Sequence, residues 1–164
     1  MNQSVDDTIS GRNITANSRT IRFPFYTART EYACLAMLEL AASYGTSAPV
    51  RLRQIAEKHN ISHRFLVQIF LQLKAAGLVR SARGAGGGYF LGSDPKSIAV
   101  YDVVKVVDST IQTENGNLPE HPFLRAVHQL WTDAMHTQMK LLQQCSLADL
   151  LERSQEQFDA SYQI

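Results

Sequence analysis

Hydrophobic residues recur every three to four positions along much of the chain, which is the spacing of helices that bury one side. Such stripes predict a helix from Ala28 to Tyr44, stopped by Gly45, and a short helix from Leu52 to His59. A third helix is predicted from His63 to Ala75, ended by Gly77. Its expected inner side consists of Leu66, Ile69, Phe70 and Leu73.

The short connection before the third helix indicates how these helices are arranged. Asn60 and Ile61 form a tight turn, and Ser62 is placed to cap the helix that follows. Two short helices joined by such a turn, the second opening with polar and basic residues, are typical of a helix-turn-helix. The pattern therefore predicts a recognition helix at about residues 62–75.

After Gly77 the period of the pattern shortens to two residues. Leu78–Ala82 and Gly88–Leu91 have the pattern of strands, and glycines crowd the segment between them. A hairpin directly after a helix-turn-helix is a wing, predicted here at about residues 79–91. A glycine-rich phosphate-binding loop is disfavoured, because such a loop opens a helix, whereas a strand follows here.

The rest of the chain predicts three more helices. A short helix is expected from Val100 to Asp108, and its expected buried residues are Val103, Val104, Val106 and Val107. A polar loop, 109–121, leads to a long amphipathic helix from Pro122 to about Gln144. Ser146 is expected to cap a last helix from Leu147 to about Gln157. The rest of the chain is too short to bury the apolar side of the long helix. We therefore expect a partner subunit to bury it.

Composition limits the class of protein. The chain has 164 residues, 45% of them hydrophobic, which is enough for one globular domain with an appended segment. Neither a membrane span nor a secretory signal is expected, since there is no long apolar run and no apolar stretch behind the N-terminal charges. The expected location is the cytoplasm. Two cysteines cannot build a disulfide scaffold or a four-thiolate metal site.

The net charge of +1 hides a strong asymmetry. Residues 51–96 contain eight Lys and Arg residues and two acidic residues, a formal charge of +6. Residues 97–164 contain four basic and nine acidic residues, a formal charge of −5. A basic region followed by an acidic one is typical of a chain whose first part meets a polyanion, although a run of charge is often only a solvated surface.

Four segments resemble one family of bacterial regulators. They are Arg29–Ala33, Ile61–Phe70, Ala76–Tyr89 and His128–Trp131. The third is the most specific, because an Arg-Gly-X-Gly-Gly-Gly-Tyr run after a helix-turn-helix is rare elsewhere. With the spacing between them, these segments resemble the Rrf2 family of winged-helix transcription regulators over roughly residues 24–158.

The resemblance implies a fold that is mainly α with a small β-hairpin wing. A winged helix-turn-helix domain would be followed by a long C-terminal helix through which two chains form a homodimer. Such a dimer would bind a pseudo-palindrome in double-stranded DNA. The implied units are a flexible N-terminal tail at residues 1–22, a winged DNA-binding domain at 23–96, and a sensor loop with dimerisation helices at 97–164.

The resemblance also assigns DNA contacts. The recognition-helix positions that would meet the major groove and adjacent phosphates are Ser62, Arg64, Phe65 and Gln68. The wing positions that would lie at the minor groove are Arg83, Gly86, Gly87 and Gly88. The chemistry agrees, since glutamine pairs with adenine, arginine with guanine or phosphate, and a narrow minor groove attracts arginine. Further phosphate contacts are expected from Arg51, Arg53, Lys58 and Lys74.

Two of the chain's departures from the family bear on what it binds. Val67 stands where many members have an acidic residue in the recognition helix, so their operator sequence is not expected to carry over. Cluster-binding members have three cysteines before the long helix, whereas residues 109–121 contain none. Glu31 and His128 match positions at which members bring a carboxylate and a histidine ligand. Because residues 109–121 supply no thiolates, no cofactor is expected. A divalent metal and an iron–sulfur cluster are the disfavoured alternatives.

The two cysteines are expected to behave differently. Cys34 lies in the apolar stripe of the first helix, so a buried and inert thiol is expected there. Cys145 lies beside the start of the last helix, where an exposed thiol would have a lowered pKa. The sequence thus makes Cys145 the candidate redox residue.

Taken together, these patterns predict a dimeric, sequence-specific DNA-binding transcriptional regulator that acts as a repressor. The alternative is a winged-helix module that binds proteins and not DNA, against which the +6 charge and the polar recognition helix weigh. An enzyme is not expected, because the sequence offers no nucleophile–base pair, no paired carboxylates and no complete metal site.

Overall fold

The described residues of the chain form six α-helices and two antiparallel pairs of strands. A computed structural model describes residues 14–16, 19–21, 27–84, 86–108 and 121–161. The helices are α1 (Ala28–Ala42), α2 (Leu52–His59), α3 (His63–Ala75), α4 (Val100–Val107), α5 (Pro122–Gln143) and α6 (Leu147–Ser161). The strands are β1 (Ile14–Ala16), β2 (Arg19–Ile21), β3 (Val79–Ala82) and β4 (Gly88–Leu91). The architecture is mainly α with a small hairpin, as the sequence predicts.

Local signals determine where the first helices begin and end. Thr27 and Thr30 cap the start of α1 reciprocally, because each side-chain oxygen accepts a hydrogen bond from the other residue's backbone N–H, at 3.2 and 2.9 Å. At its other end α1 stops at Ala42, two residues before the predicted end, since the chain turns there. Asn60 ends α2 with a left-handed backbone at φ 51°, which directs the chain sharply into α3.

The core is built around α3. Its inner residues, Leu66, Ile69, Phe70 and Leu73, are fully buried, as predicted. They belong to one cluster with Ala33, Ala36, Met37 and Leu40 of α1. Full burial of a side chain of this size contributes about 1.5–3 kcal/mol. The packing of α3 on α1 therefore fixes which side of α3 remains at the surface.

The β3–β4 hairpin is the wing, and it is attached to the helices on two sides. Its register pairs Val79 with Leu91 and Ala82 with Gly88. Val50, just before α2, donates its N–H to the Tyr89 carbonyl at 3.0 Å and accepts from the Tyr89 N–H at 2.8 Å. The rings of Tyr89 and Phe70 meet edge to face, with centroids 4.8 Å apart. The wing is thus held against α3.

The C-terminal part joins the core through α4 and the start of α6. The Val100 N–H donates to the Cys145 carbonyl at 2.8 Å, and the Leu147 N–H donates to the Ile98 carbonyl at 3.0 Å. Ser146 caps α6 as predicted, since its hydroxyl oxygen accepts from the Asp149 N–H at 3.1 Å. In contrast, none of the 22 residues of α5 is buried. None of the described helices has both the length and the apolar character to cross a membrane.

One sequence prediction differs from the structure here, and two concern segments in which the structure does not test them. Val106 is only partly buried, because the buried side of α4 follows the helical spacing and consists of Val100, Val103, Val104 and Val107. Within the segment 1–22, β1 and β2 pair with Ile14 opposite Ile21, and strands of three residues are too short to leave a period in the sequence. The flexibility of the segment stays a prediction. Of the predicted loop 109–121, all but His121 lies outside the described residues.

Candidate nucleic-acid interface

The outer side of α3 is exposed and mostly polar, with Leu71 as an exposed apolar residue. Arg64 and Gln68 lie four residues apart, so their side chains project from the same side of the helix. The chain has no Asp or Glu between Glu57 and Asp94, a stretch that contains α3 and the whole wing. The exposed basic residues of this stretch are Lys58, Arg64, Lys74, Arg80 and Arg83. We call this the basic face.

Ser62 stands at the start of α3, but the predicted cap is absent. Its side chain makes no capping hydrogen bond, and its backbone lies at φ −58°, ψ 122°. Thr27, which does cap α1, has the more extended conformation of φ −96°, ψ 159°. The Ser62 hydroxyl thus makes no bond to the first N–H groups of α3. That hydroxyl is exposed on the basic face.

Phe65 lies at the junction of α3 and α1 and is half-buried. Its ring meets the ring of Tyr32 edge to face, with centroids 5.8 Å apart. The guanidinium carbon of Arg29 lies 5.7 Å from the Phe65 ring centroid. Phe65 therefore packs α1 against α3 beside the exposed pair Arg64 and Gln68.

Arg29 and Gln72 belong to this surface although sequence analysis did not select them. Nη2 of Arg29 donates to Oε1 of Gln72 at 2.6 Å, across 43 residues of sequence. Arg29 opens one of the four segments that resemble the Rrf2 family, so a signal for Arg29 was present. Nothing in the sequence pairs it with Gln72.

The predicted phosphate contacts lie at the surface in different settings. Arg51 and Lys74 are exposed, at the start of α2 and in the last turn of α3. Arg53 forms an ion pair with Glu57, with Nε and Oε1 2.9 Å apart, one turn along the exposed side of α2. Because an exposed pair of this kind contributes little free energy, Arg53 remains able to exchange Glu57 for a phosphate.

A half-buried carboxylate ties α2 to α1. Oε1 of Glu39 accepts from Nζ of Lys58 and lies at the same 2.7 Å from Nε2 of His59. Burial alone raises the pKa of Glu39, but the hydrogen bonds from Lys58 and His59, aided by their charges, lower it overall. Lys58 is therefore engaged within the protein, which makes it the weakest of the predicted phosphate contacts.

The tip of the wing is a tight turn in which the glycines have different surroundings. Gly84 has φ +103°, a conformation that favours glycine. A Cβ at Gly87 would lie 2.8 Å from the Ala82 carbonyl oxygen, and one at Gly88 would lie 2.6 Å from the Val50 carbonyl oxygen. A Cβ at Gly86 would meet nothing within 4 Å. Gly86 and Arg83 are thus exposed at the tip, whereas Gly87 and Gly88 are required by the packing of the wing itself.

The predicted metal ligands do not form a site in the part of the chain that the structure describes. Glu31 is half-buried, and its Oε2 is shielded from solvent without a partner among the described residues. His128 is exposed on α5. Over residues 27–84, 86–108 and 121–161, no three His, Cys, Asp or Glu side chains lie close enough to hold a metal ion.

The cysteines do not fit an iron–sulfur cluster, which is held by thiolates. Cys34 is half-buried and not fully buried as predicted. The burial that it has raises the pKa of its thiol to about 12, so the thiol stays protonated at neutral pH. The exposure predicted for Cys145 is wrong. It is buried against Val100 and Val104, because its carbonyl group accepts from Val100 and draws this connection onto α4. The redox assignment of Cys145 loses its support.

Comparison with known proteins agrees with this geometry. The family model Rrf2, described as an iron-dependent transcriptional regulator, matches residues 26–153. The HTH-type transcriptional regulator IscR of Klebsiella pneumoniae (strain 342) is 38% identical over 140 residues, which are 82% of this chain and 83% of the relative. IscR of Escherichia coli (strain K12 / DH10B) is 37% identical over 82% of this chain and 84% of its own.

Solved structures show the same likeness. CymR (YrzC), the global cysteine regulator of B. subtilis, superposes with a TM-score of 0.68 and 34% identity, over 77% of this chain and 95% of CymR. IscR of T. potens gives a TM-score of 0.66 and 31% identity, over 79% of this chain and 88% of that chain. The chain therefore belongs to the Rrf2 family, which consists of winged-helix, DNA-binding transcriptional regulators and not of enzymes.

Proposed function

We propose that the chain is a cytoplasmic, dimeric repressor that binds a specific DNA sequence, with α3 in the major groove and the wing at the minor groove. The observation that carries the proposal is that the stretch containing α3 and the wing has no acidic residue and exposes Arg64, Gln68 and Arg83. The IscR relatives, which are named HTH-type transcriptional regulators, support this use of α3.

Each exposed group on the basic face suits a different part of duplex DNA. The Gln68 amide has the donor and acceptor that match N7 and N6 of adenine, and the Arg64 guanidinium matches O6 and N7 of guanine. Arg83, beside a turn without bulky side chains, suits a narrow minor groove with its strong negative potential. Phosphate contacts are assigned to Ser62, Arg51, Arg53 and Lys74, which supply affinity without reading sequence.

The proposed dimer forms through α5. Its apolar side is exposed in the single chain, with 79% of Phe123, 67% of Leu130 and 64% of Trp131 accessible. Contiguous apolar surface of this kind marks a protein interface. Pairing of two α5 helices would cover it and would place two α3 helices on half-sites about 34–36 Å, one turn of DNA, apart.

Selection from a pool of random-sequence duplexes tests the proposal. The protein is expected to enrich a pseudo-palindrome and to bind it about 10³-fold or more tightly than random DNA. The double variant Arg64→Ala/Gln68→Ala should lose this enrichment. A matched control, Gln129→Ala on the polar side of α5, should keep it. A folded dimer that enriches no sequence would contradict the proposal and favour a protein-binding winged module.

We also propose that the regulator works without an iron–sulfur cluster, because the two cysteines do not supply accessible thiolates. Protein purified without oxygen should be colourless and free of stoichiometric iron and sulfide. A brown protein containing both would overturn this proposal and would direct attention to Glu31 and His128.

A further inference from the structure

Arg29 is fixed in place by two elements. It lies in the first turn of α1, and its Nη2 reaches Oε1 of Gln72 on α3 at 2.6 Å. Its guanidinium also lies over the ring of Phe65, 5.7 Å from the centroid, and that ring is held in turn by Tyr32. A guanidinium held by a hydrogen bond and by an aromatic ring is positioned before any ligand arrives.

The pair of side chains presents only hydrogen-bond donors to its surroundings. Arginine has no acceptor, so the Gln72 atom that faces it must be the carbonyl oxygen, and the assignment of the two amide atoms is unambiguous. The Gln72 NH₂ group is therefore directed away from Arg29, while Nε of Arg29 is shielded from solvent and has no hydrogen-bond partner among the described residues. A cluster of donors around a positive charge matches an oxyanion, and a phosphate in particular.

The pair adjoins the proposed DNA-reading residues. Gln72 is exposed and lies one turn beyond Gln68 on α3, about 6 Å further along the helix axis. A helix that enters the major groove with its first turns reaches the phosphate backbone further along its length. The stretch between Glu57 and Asp94, which contains α3 and the wing, has no Asp or Glu, so no carboxylate of that stretch competes for the donors of Arg29 and Gln72.

The position of Arg29 is not explained by the stability of α1. A positive charge in the first turn of a helix is unfavourable, because the N-terminus of the helix dipole is itself positive. Thr27 and Thr30 already satisfy the cap, so Arg29 serves no capping role. A negative ligand at this point would offset the unfavourable charge.

We propose that Arg29 and Gln72 together bind one backbone phosphate of the DNA, outside the bases read by Arg64 and Gln68. This inference rests on the proposed function and names an additional contact within it. In this arrangement Gln72 donates a hydrogen bond to the phosphate. Arg29 supplies the positive charge and holds Gln72 in position.

The test measures operator affinity against salt concentration for the full-length protein and its variants. Arg29→Ala should weaken binding to operator and to random DNA alike, by about tenfold or more, and should reduce the slope of log affinity against log salt by about one. Arg29→Lys, which keeps the charge, should retain the slope. Base preferences at every operator position should stay as in the wild type.

Gln72→Glu separates binding from mere support of the fold. The new carboxylate would pair more strongly with Arg29, so a purely structural contact would be preserved or improved. A phosphate contact would be lost, and affinity should fall further than in Gln72→Ala. Unfolding of both variants by denaturant should match the wild type.

Three results would overturn the inference. These are wild-type affinity in Gln72→Glu, an unchanged salt slope in Arg29→Ala, or a change of base preference at one operator position, which would make Gln72 a base-reading residue. Failure of the wild type to bind any DNA would instead contradict the proposed function itself, so the two failures are distinguishable.

Discussion

Gly86 and Gly88 lie two residues apart in the wing yet differ in what a side chain would meet. A Cβ at Gly88 would lie 2.6 Å from the Val50 carbonyl oxygen, which is closer than atoms can pack, whereas Gly86 has open space. Gly88→Ala is therefore expected to displace the wing from Val50 and to lower the free energy of unfolding by about 1–3 kcal/mol. Gly86→Ala should unfold like the wild type. Denaturation by urea measures both, and equal midpoints for the two variants would refute the close packing at Gly88.

Arg83 is the wing residue on which the proposed minor-groove contact depends. Arg83→Ala should weaken operator binding by about 1–3 kcal/mol, because a groove contact of a charged side chain is lost. Lys96→Ala removes an exposed charge just beyond the basic face and should bind nearly as the wild type does. Fluorescence anisotropy with a labelled operator measures both. Wild-type affinity in Arg83→Ala would show that the wing has been assigned the wrong role.

At the scale of the elements, the salt link between α1 and α2 makes stability depend on pH. The folded pKa of Glu39 is below its ordinary value of 4.5, so its ionised form stabilises the fold above that pH. This contribution is lost as the pH falls below 4.5 towards the folded pKa. Glu39→Gln should thus cost no more than about 1 kcal/mol at pH 7, since Lys58 is largely exposed. Urea unfolding from pH 7 to pH 3 should show the difference from the wild type shrinking. A difference that stays constant would show that the ionised form of Glu39 does not stabilise the fold.

The helices themselves were predictable from the sequence, and the contacts between them were not. The bounds of α2 and α3 match the prediction because apolar spacing, Asn60 and Gly77 are local signals. The pairing of Arg29 with Gln72 spans 43 residues and that of Glu39 with His59 spans 20, and no local pattern records such contacts. The burial of Cys145 escaped prediction for the same reason, since it depends on α4 lying against the turn before α6.

At the scale of the whole molecule, the exposed side of α5 predicts the assembly. Trp131→Lys places a charge in the apolar surface and should shift the protein towards the monomer, raising the dimer dissociation constant at least about tenfold. Gln129→Lys, on the opposite side of the same helix, should leave the dimer intact. Sedimentation velocity over a range of concentrations measures both. If Trp131→Lys remains as dimeric as the wild type, the proposed interface is wrong.

The basic face is proposed to bind the DNA backbone, and every assigned contact on α3 and the wing depends on that binding. Operator affinity measured between about 50 and 200 mM salt tests this binding directly, because each phosphate contact releases counterions. We predict a linear fall of log affinity with log salt, amounting to about 10³–10⁵-fold for a dimer that makes six to ten phosphate contacts. An affinity that does not change with salt would contradict the assignment of α3 and the wing as a DNA-binding surface.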